Sequence, residues 1–195
     1  AEARTRVDVV DLSTPSVPRV RGSVKLPEQV HPGYRSWYWG WGDEAVQVGG
    51  STLAFHRYTY NYWYEDCEGC GGGTRQPHRV HLVDLSDPDA PKVGATVSFA
   101  DANWVWGLKA EGQTLYLSEY RLFERNGQQR ARYFLRRVDV ANPSKPVVHE
   151  PVNVPGYFVG ASPDGRHVYT VETWWDRQAQ VSMSRLYALE LSGER

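Results

Sequence analysis

The octapeptide DLSTPSVP at residues 11–18 returns as DLSDPDAP at 84–91 and as DVANPSKP at 139–146. The shared pattern is D-[LV]-[SA]-x-P-x-x-P, and a reduced fourth copy, Leu189-Glu190-Leu191-Ser192, follows near the C-terminus. Three matches to so constrained a pattern are not a chance event, and their separation is of the size found in propellers, solenoids and arrays. The flanks repeat too. An apolar, β-branched or aromatic run precedes each copy, as in RVHLVDLS and YFLRRVDV. Another follows, as in PRVRGSVKLP, PKVGATVSFA and PVVHEPVNVP. Proline between two such runs fits a turn between strands, where its missing N–H leaves no gap in a ladder.

Upstream of the copies lies a second recurring unit, two strand-like runs around a glycine turn: AVQVGGSTLAF, GLKAEGQTLYL and VGASPDGRHVYTV. No helical periodicity of 3.6 intervenes, so the unit is four strands joined by short turns. That is the composition of one propeller blade, strands a to d from centre to rim. The motif resembles the LVIVD-type repeat of secreted bacterial β-propellers, in which a VVDVSDPxxP segment joins strand c to strand d. The segment SPDGRHVY at 162–169 is similar to the a–b turn of many other propeller repeats.

The resemblance spans nearly the whole chain and implies an all-β fold, a β-propeller of four-stranded antiparallel blades that is incomplete as a ring. Read in phase, it gives strands c and d over 7–27, blades over 36–101 and 102–156, and strands a, b and c over 157–192. Closed propellers need four or more blades, and open sheet edges are a liability. The remainder of the same polypeptide, or a second chain, is therefore expected to complete the ring. The shared residues are structural, so the resemblance carries no catalytic group with it.

At 195 residues the chain can bury a sizeable core in one domain. A formal net charge of -1 gives no basic field for nucleic acid or an anionic membrane. No run approaches the roughly 18 apolar residues of a membrane span. The start, AEARTRVDVV, has neither an initiator Met nor an apolar signal core and reads as a processed or excised end. With the resemblance, this implies an extracellular, periplasmic or cell-surface location.

Eight Trp and 12 Tyr are many for this length, and their placement is uneven. In a propeller the d–a and b–c connections emerge on one face. Trp37, Trp39 and Trp41 fall in a d–a passage, and Trp104 and Trp106 open the next strand a. Tyr62 and Trp63 end one strand b, Tyr120 and Phe123 the next, and Trp174 and Trp175 the last. Trp37, Trp39, Trp41, Tyr62, Trp63, Trp174 and Trp175 are the expected surface of a non-catalytic binding or scaffold module for a protein or carbohydrate partner. Two alternatives stand beside this. The aromatics could pack between blades. Or the chain could belong to a propeller enzyme, a hydrolase or metal-dependent oxidoreductase, whose site is completed by blades outside it.

Cys67 and Cys70 are the two cysteines, in the glycine-rich stretch EDCEGCGGG. An even count in an exported chain favours a small disulfide, and the glycines give a tight ring its freedom. Free thiols and a metal site stay open. A zinc site needs four ligands, and Cys67, Cys70 and His78 are the nearest set. His78 and His81 are three apart on an extended segment and so point to opposite faces. Glu65, Asp66 and Glu68 offer oxygen ligands for calcium, although solvated charge is the plainer reading. No cofactor is expected. His149 and His167 read as structural. The stretch YRLFERNGQQRARYFLRR at 120–137 is a hairpin around Asn126-Gly127, and its arginines read as edge protection rather than a nucleic-acid surface.

Overall fold

The computed structural model describes residues 4–30, 44–57, 78–100, 102 and 104–191. Among them every regular element is a strand, and the strands form four antiparallel sheets, as the all-β expectation requires. Sheet one pairs β1 (Arg6–Asp11) with β2 (Arg19–Lys25). Sheet two runs β3 (Glu44–Val48), β4 (Thr52–Arg57), β5 (His78–Asp84) and β6 (Lys92–Phe99). Sheet three runs β7 (Trp104–Glu111), β8 (Thr114–Arg125) and β9 (Gln128–Asp139), and both β10 (Val147–Val148) and β11 (Val152–Val154) pair with β9. Sheet four runs β12 (Tyr157–Ala161), β13 (His167–Asp176) and β14 (Val181–Glu190). The outer line of sheet three is broken at 149–151, where Pro151 has no N–H to give a ladder.

The three D-x-x-x-P segments fold into the same turn. The first Asp accepts from the backbone N–H two residues on: Asp11 from Ser13 at 2.8 Å, Asp84 from Ser86 at 2.9 Å and Asp139 from Ala141 at 2.8 Å. A backbone bond then closes the proline turn, from Val17 to Thr14 O, Ala90 to Asp87 O and Lys145 to Asn142 O. These are Asx turns followed by a proline turn, which is why Asp leads the pattern. The residue after the leading acid also makes one recurring bond to the opposite hairpin turn. Leu85 donates to Ser51 O, Val140 to Gln113 O, and Leu191, from the reduced fourth copy, to Arg166 O.

Alternation along the strands divides the core into three layers. Ala54, Val80, Leu82 and Phe99 of sheet two meet Val105, Leu115, Leu117 and Val138 of sheet three. Leu26, Val30, Phe55 and Val83 fill the smaller space between sheets one and two. Tyr116, Leu135, Phe158 and Val168 fill that between sheets three and four. Two glycines let the sheets approach. A Cβ on Gly22 would run into Pro91 and the Pro88 carbonyl, and one on Gly94 into the carbonyl of Pro143. Each glycine therefore seats against the proline turn of the following sheet. Ala95 N–H completes the second junction by donating to Pro143 O at 2.8 Å.

These contacts align the sheets end to end. The turns at 49–51 and 112–113 and the segments at 84–86 and 140–143 line one cavity of about 190 Å³ between sheets two and three. Gly165, in the turn before β13, lies beside the Tyr116 hydroxyl of sheet three. The proline turns and short hairpin turns thus share one end, here the turn end. The connections 26–43, 58–77 and 100–103 and the hairpin tips at 126–127 and 177–180 leave from the other, the loop end.

Candidate functional site

At the loop end two hairpins overrun their sheets. In sheet three, β7 pairs with β8 only as far as Trp104 opposite Tyr120, and β8 and β9 continue to Arg125 opposite Gln128. The tip is Asn126 at φ 55° and Gly127 at φ 68°, both left-handed, as a twisted two-residue hairpin turn requires. Arg132 sits over the Phe123 ring at 4.5 Å and Arg121 over Phe134 at 4.6 Å, and the register puts both pairs on one face, which carries two cations, each on an aromatic plate. In sheet four, β12 pairs with β13 up to Val171, and β13 and β14 continue to Asp176 opposite Val181.

Trp174 and Trp175 stand on this second overrun, and as consecutive residues they face opposite sides of β13. Trp174 is half-buried, with the Arg185 guanidinium 5.4 Å from its ring centroid. Trp175 is 57% exposed. The two do not form one continuous plate. They flank the same hairpin, one packed and one open. Trp37, Trp39, Trp41, Tyr62, Trp63, Cys67 and Cys70 lie outside the described residues. So do Glu65, Asp66 and Glu68.

Beneath the loop end the sheets bury charge. Glu119 is fully buried between sheets two and three, where Arg136 grips it through Nε at 2.9 Å and Nη2 at 3.1 Å. Arg121 adds a third bond at 2.9 Å, and Arg136 lies over the Phe99 ring of sheet two. On the same side of sheet two His56 and His78 are both buried, with ring centroids 5.9 Å apart. Tyr120 and Tyr133 meet edge to face at 6.2 Å, and burial, with the Tyr133 hydroxyl nearby, pushes the Tyr120 phenol up to about 12.

His81 points the other way, towards sheet one, as its odd separation from His78 demands. There Glu28, just past β2, receives Arg57, Arg79 at 3.3 Å and His81 Nε2 at 2.6 Å. His81 Nδ1 is 2.9 Å from the Thr96 hydroxyl across the β5–β6 ladder. His78 and His81 therefore serve two different layers and cannot share a metal. Among the described residues no group of three or more His, Cys, Asp or Glu is placed to hold a metal ion.

The buried Glu119–Arg136 pair was not singled out from the sequence, yet a signal was present. Glu119 interrupts the apolar run TLYLSEYRLF, and Arg136 the run YFLRRVD. A charged residue within a strand covered on both sides needs a partner. No family model matches the sequence, and a search of the curated proteins finds no match.

Proposed function

We propose that the chain is part of a β-propeller exported to the cell surface or its surroundings, of the LVIVD-like kind, and that it acts as a binding or scaffolding module through its loop end. The observation that carries this reading is the common alignment of the described strands. The described strands on either side of the Trp37–Trp39–Trp41 and Tyr62–Trp63 passages end, and the Trp174–Trp175 hairpin overruns, at the same end of successive sheets. Rigid aromatics beside arginines present flat apolar area with a polar rim, the chemistry that stacks on sugar rings or anchors a protein partner.

The blades would be the four sheets, each inner strand packed on the next: β3 on β7, and β7 on β12. The outward faces at both ends of the series carry exposed apolar side chains, Val10 and Val20 in sheet one and Val159 and Leu186 in sheet four. A further blade, from the same polypeptide or another chain, would cover them.

The test uses the purified chain on an array of oligosaccharides and purified cell-surface proteins. Wild type should retain a defined probe, and the Trp63→Ala/Trp174→Ala double variant should lose it while its far-UV circular dichroism is unchanged. Retention unaffected by the double change, and by Trp175→Ala, would sink the idea.

A further inference from the structure

The Glu28–His81–Thr96 line has a second consequence besides joining sheet one to sheet two. Its three groups come from three separate segments: the stretch after β2, the middle of β5, and β6. A carboxylate only accepts hydrogen bonds, so Glu28 Oε1, 2.6 Å away, holds the proton of neutral His81 on Nε2. Nδ1 is left as the acceptor, and it faces the Thr96 Oγ1 at 2.9 Å. His81 is 1% exposed and the Glu28 side chain 14%, whereas Thr96 is exposed on the protein surface. Arg57 and Arg79, on the same face of sheet two, fix the Glu28 carboxylate in place. A surface hydroxyl, a buried base in hydrogen-bond reach of it, and an acid orienting that base make up the arrangement that activates a nucleophile.

We infer that Thr96 is an activated nucleophile that accepts an acyl group from small carboxylic esters, with His81 as its general base and Glu28 as the positioning residue. Thr96 Oγ1 attacks the ester carbonyl carbon while its proton passes to His81 Nδ1. The carbon–oxygen bond to the alcohol then breaks, and the leaving oxygen takes that proton. Water, deprotonated by the same nitrogen, attacks the acyl-threonine, the Thr96 ester bond breaks as Oγ1 takes the proton from His81 Nδ1, and the carboxylic acid leaves with Thr96 and His81 restored. β6 is the edge strand of sheet two, so alternate backbone N–H groups leave the sheet along it. Of the outward N–H groups that flank Thr96, that of Ala95 is engaged with Pro143 O, so the Val97 N–H on the other side is the donor to the oxyanion that forms during attack. The site is separate from the aromatic loop end and does not depend on ligand binding there.

The probe is p-nitrophenyl acetate with the full chain. The expected result is release of p-nitrophenol with one acetyl group found on Thr96 by peptide mass spectrometry. Thr96→Val, at an exposed position that the change leaves nearly isosteric, should cut release about a hundredfold. Thr96→Ser should keep it and carry the acetyl group at the same position. Glu28→Gln should slow acylation with the label still on residue 96; should that variant fail to fold, the two Thr96 variants decide alone. An unchanged rate in Thr96→Val, or acetyl found only on lysines or the N-terminus, overturns the assignment.

Discussion

The two ends of the sheet series are built on different rules. At the turn end the chain repeats itself atom for atom: an Asp caps a turn, a proline turn follows, and a glycine from the preceding sheet seats against it where that sheet supplies one. At the loop end the connections run from the two-residue tip at 126–127 to the long passages 26–43 and 58–77, and the described overruns carry aromatics beside arginines. The contrast teaches where selection for packing stops. Regular turns fix the spacing of the sheets, and the opposite end, freed from that task, can vary its loops, which is where rigid scaffolds carry function.

The comparison can be pressed by substitution, beginning where the largest effect is expected. Glu119→Ala strands the Arg136 guanidinium between sheets two and three and should cost about 3–5 kcal/mol by urea unfolding. Such a loss would show that the loop end stands on a buried ionic base; a loss below about 1 kcal/mol would mean that water or another group takes over. Gly94→Ala drives a methyl group into the Pro143 carbonyl and should cost about 1–3 kcal/mol, with faster hydrogen exchange at the junction of sheets two and three. A neutral result would remove glycine seating as the device that spaces the sheets.

Titration separates the ends again. The backbone N–H of Ser13 holds the Asp11 carboxyl below its usual value of 3.8, and that of Ser86 does the same for Asp84. A depressed folded value means stability that is complete above about pH 4 and is lost as pH falls through the lower folded values. Asp84→Asn keeps an acceptor for Ser86 but cannot titrate, so its midpoint should fall less on acidification than wild type's. At the loop end the sign reverses. Tyr120 is raised from 10.0 to about 12, so its contribution is intact below pH 10 and is lost as pH rises towards 12. Tyr120→Phe should flatten that alkaline limb, and an unchanged limb would place the alkaline loss elsewhere. The smallest stability effect belongs to Trp175→Ala, about 0.5 kcal/mol or less for so open a side chain.

How much of this the sequence held depends on which end is considered. The turn end was legible because its signals are local: Asp, Ser and Pro at fixed offsets dictate a turn whatever surrounds them. Asn126-Gly127 announced its hairpin for the same reason. Alternation also placed His78 and His81 on opposite faces. What it could not supply was the partner of each face, since Glu28 lies 53 residues from His81 and Arg136 lies 17 from Glu119. Those pairings depend on sheet order and on diagonal register, with Glu119 opposite Phe134 and Arg136 opposite Leu117. Trp174 and Trp175 were read as part of one surface because both lie at the end of one strand b. The pleat turns them to opposite sides, a fact that the period of two already contained.

Array binding and urea midpoint, measured side by side on Trp175→Ala and Gly94→Ala, test the division between the two ends most directly. A crossed result is predicted: Trp175→Ala loses the retained probe and keeps the wild-type midpoint, while Gly94→Ala keeps the probe and lowers the midpoint. Binding that survives in Trp175→Ala, or that falls in step with stability in both variants, would contradict it.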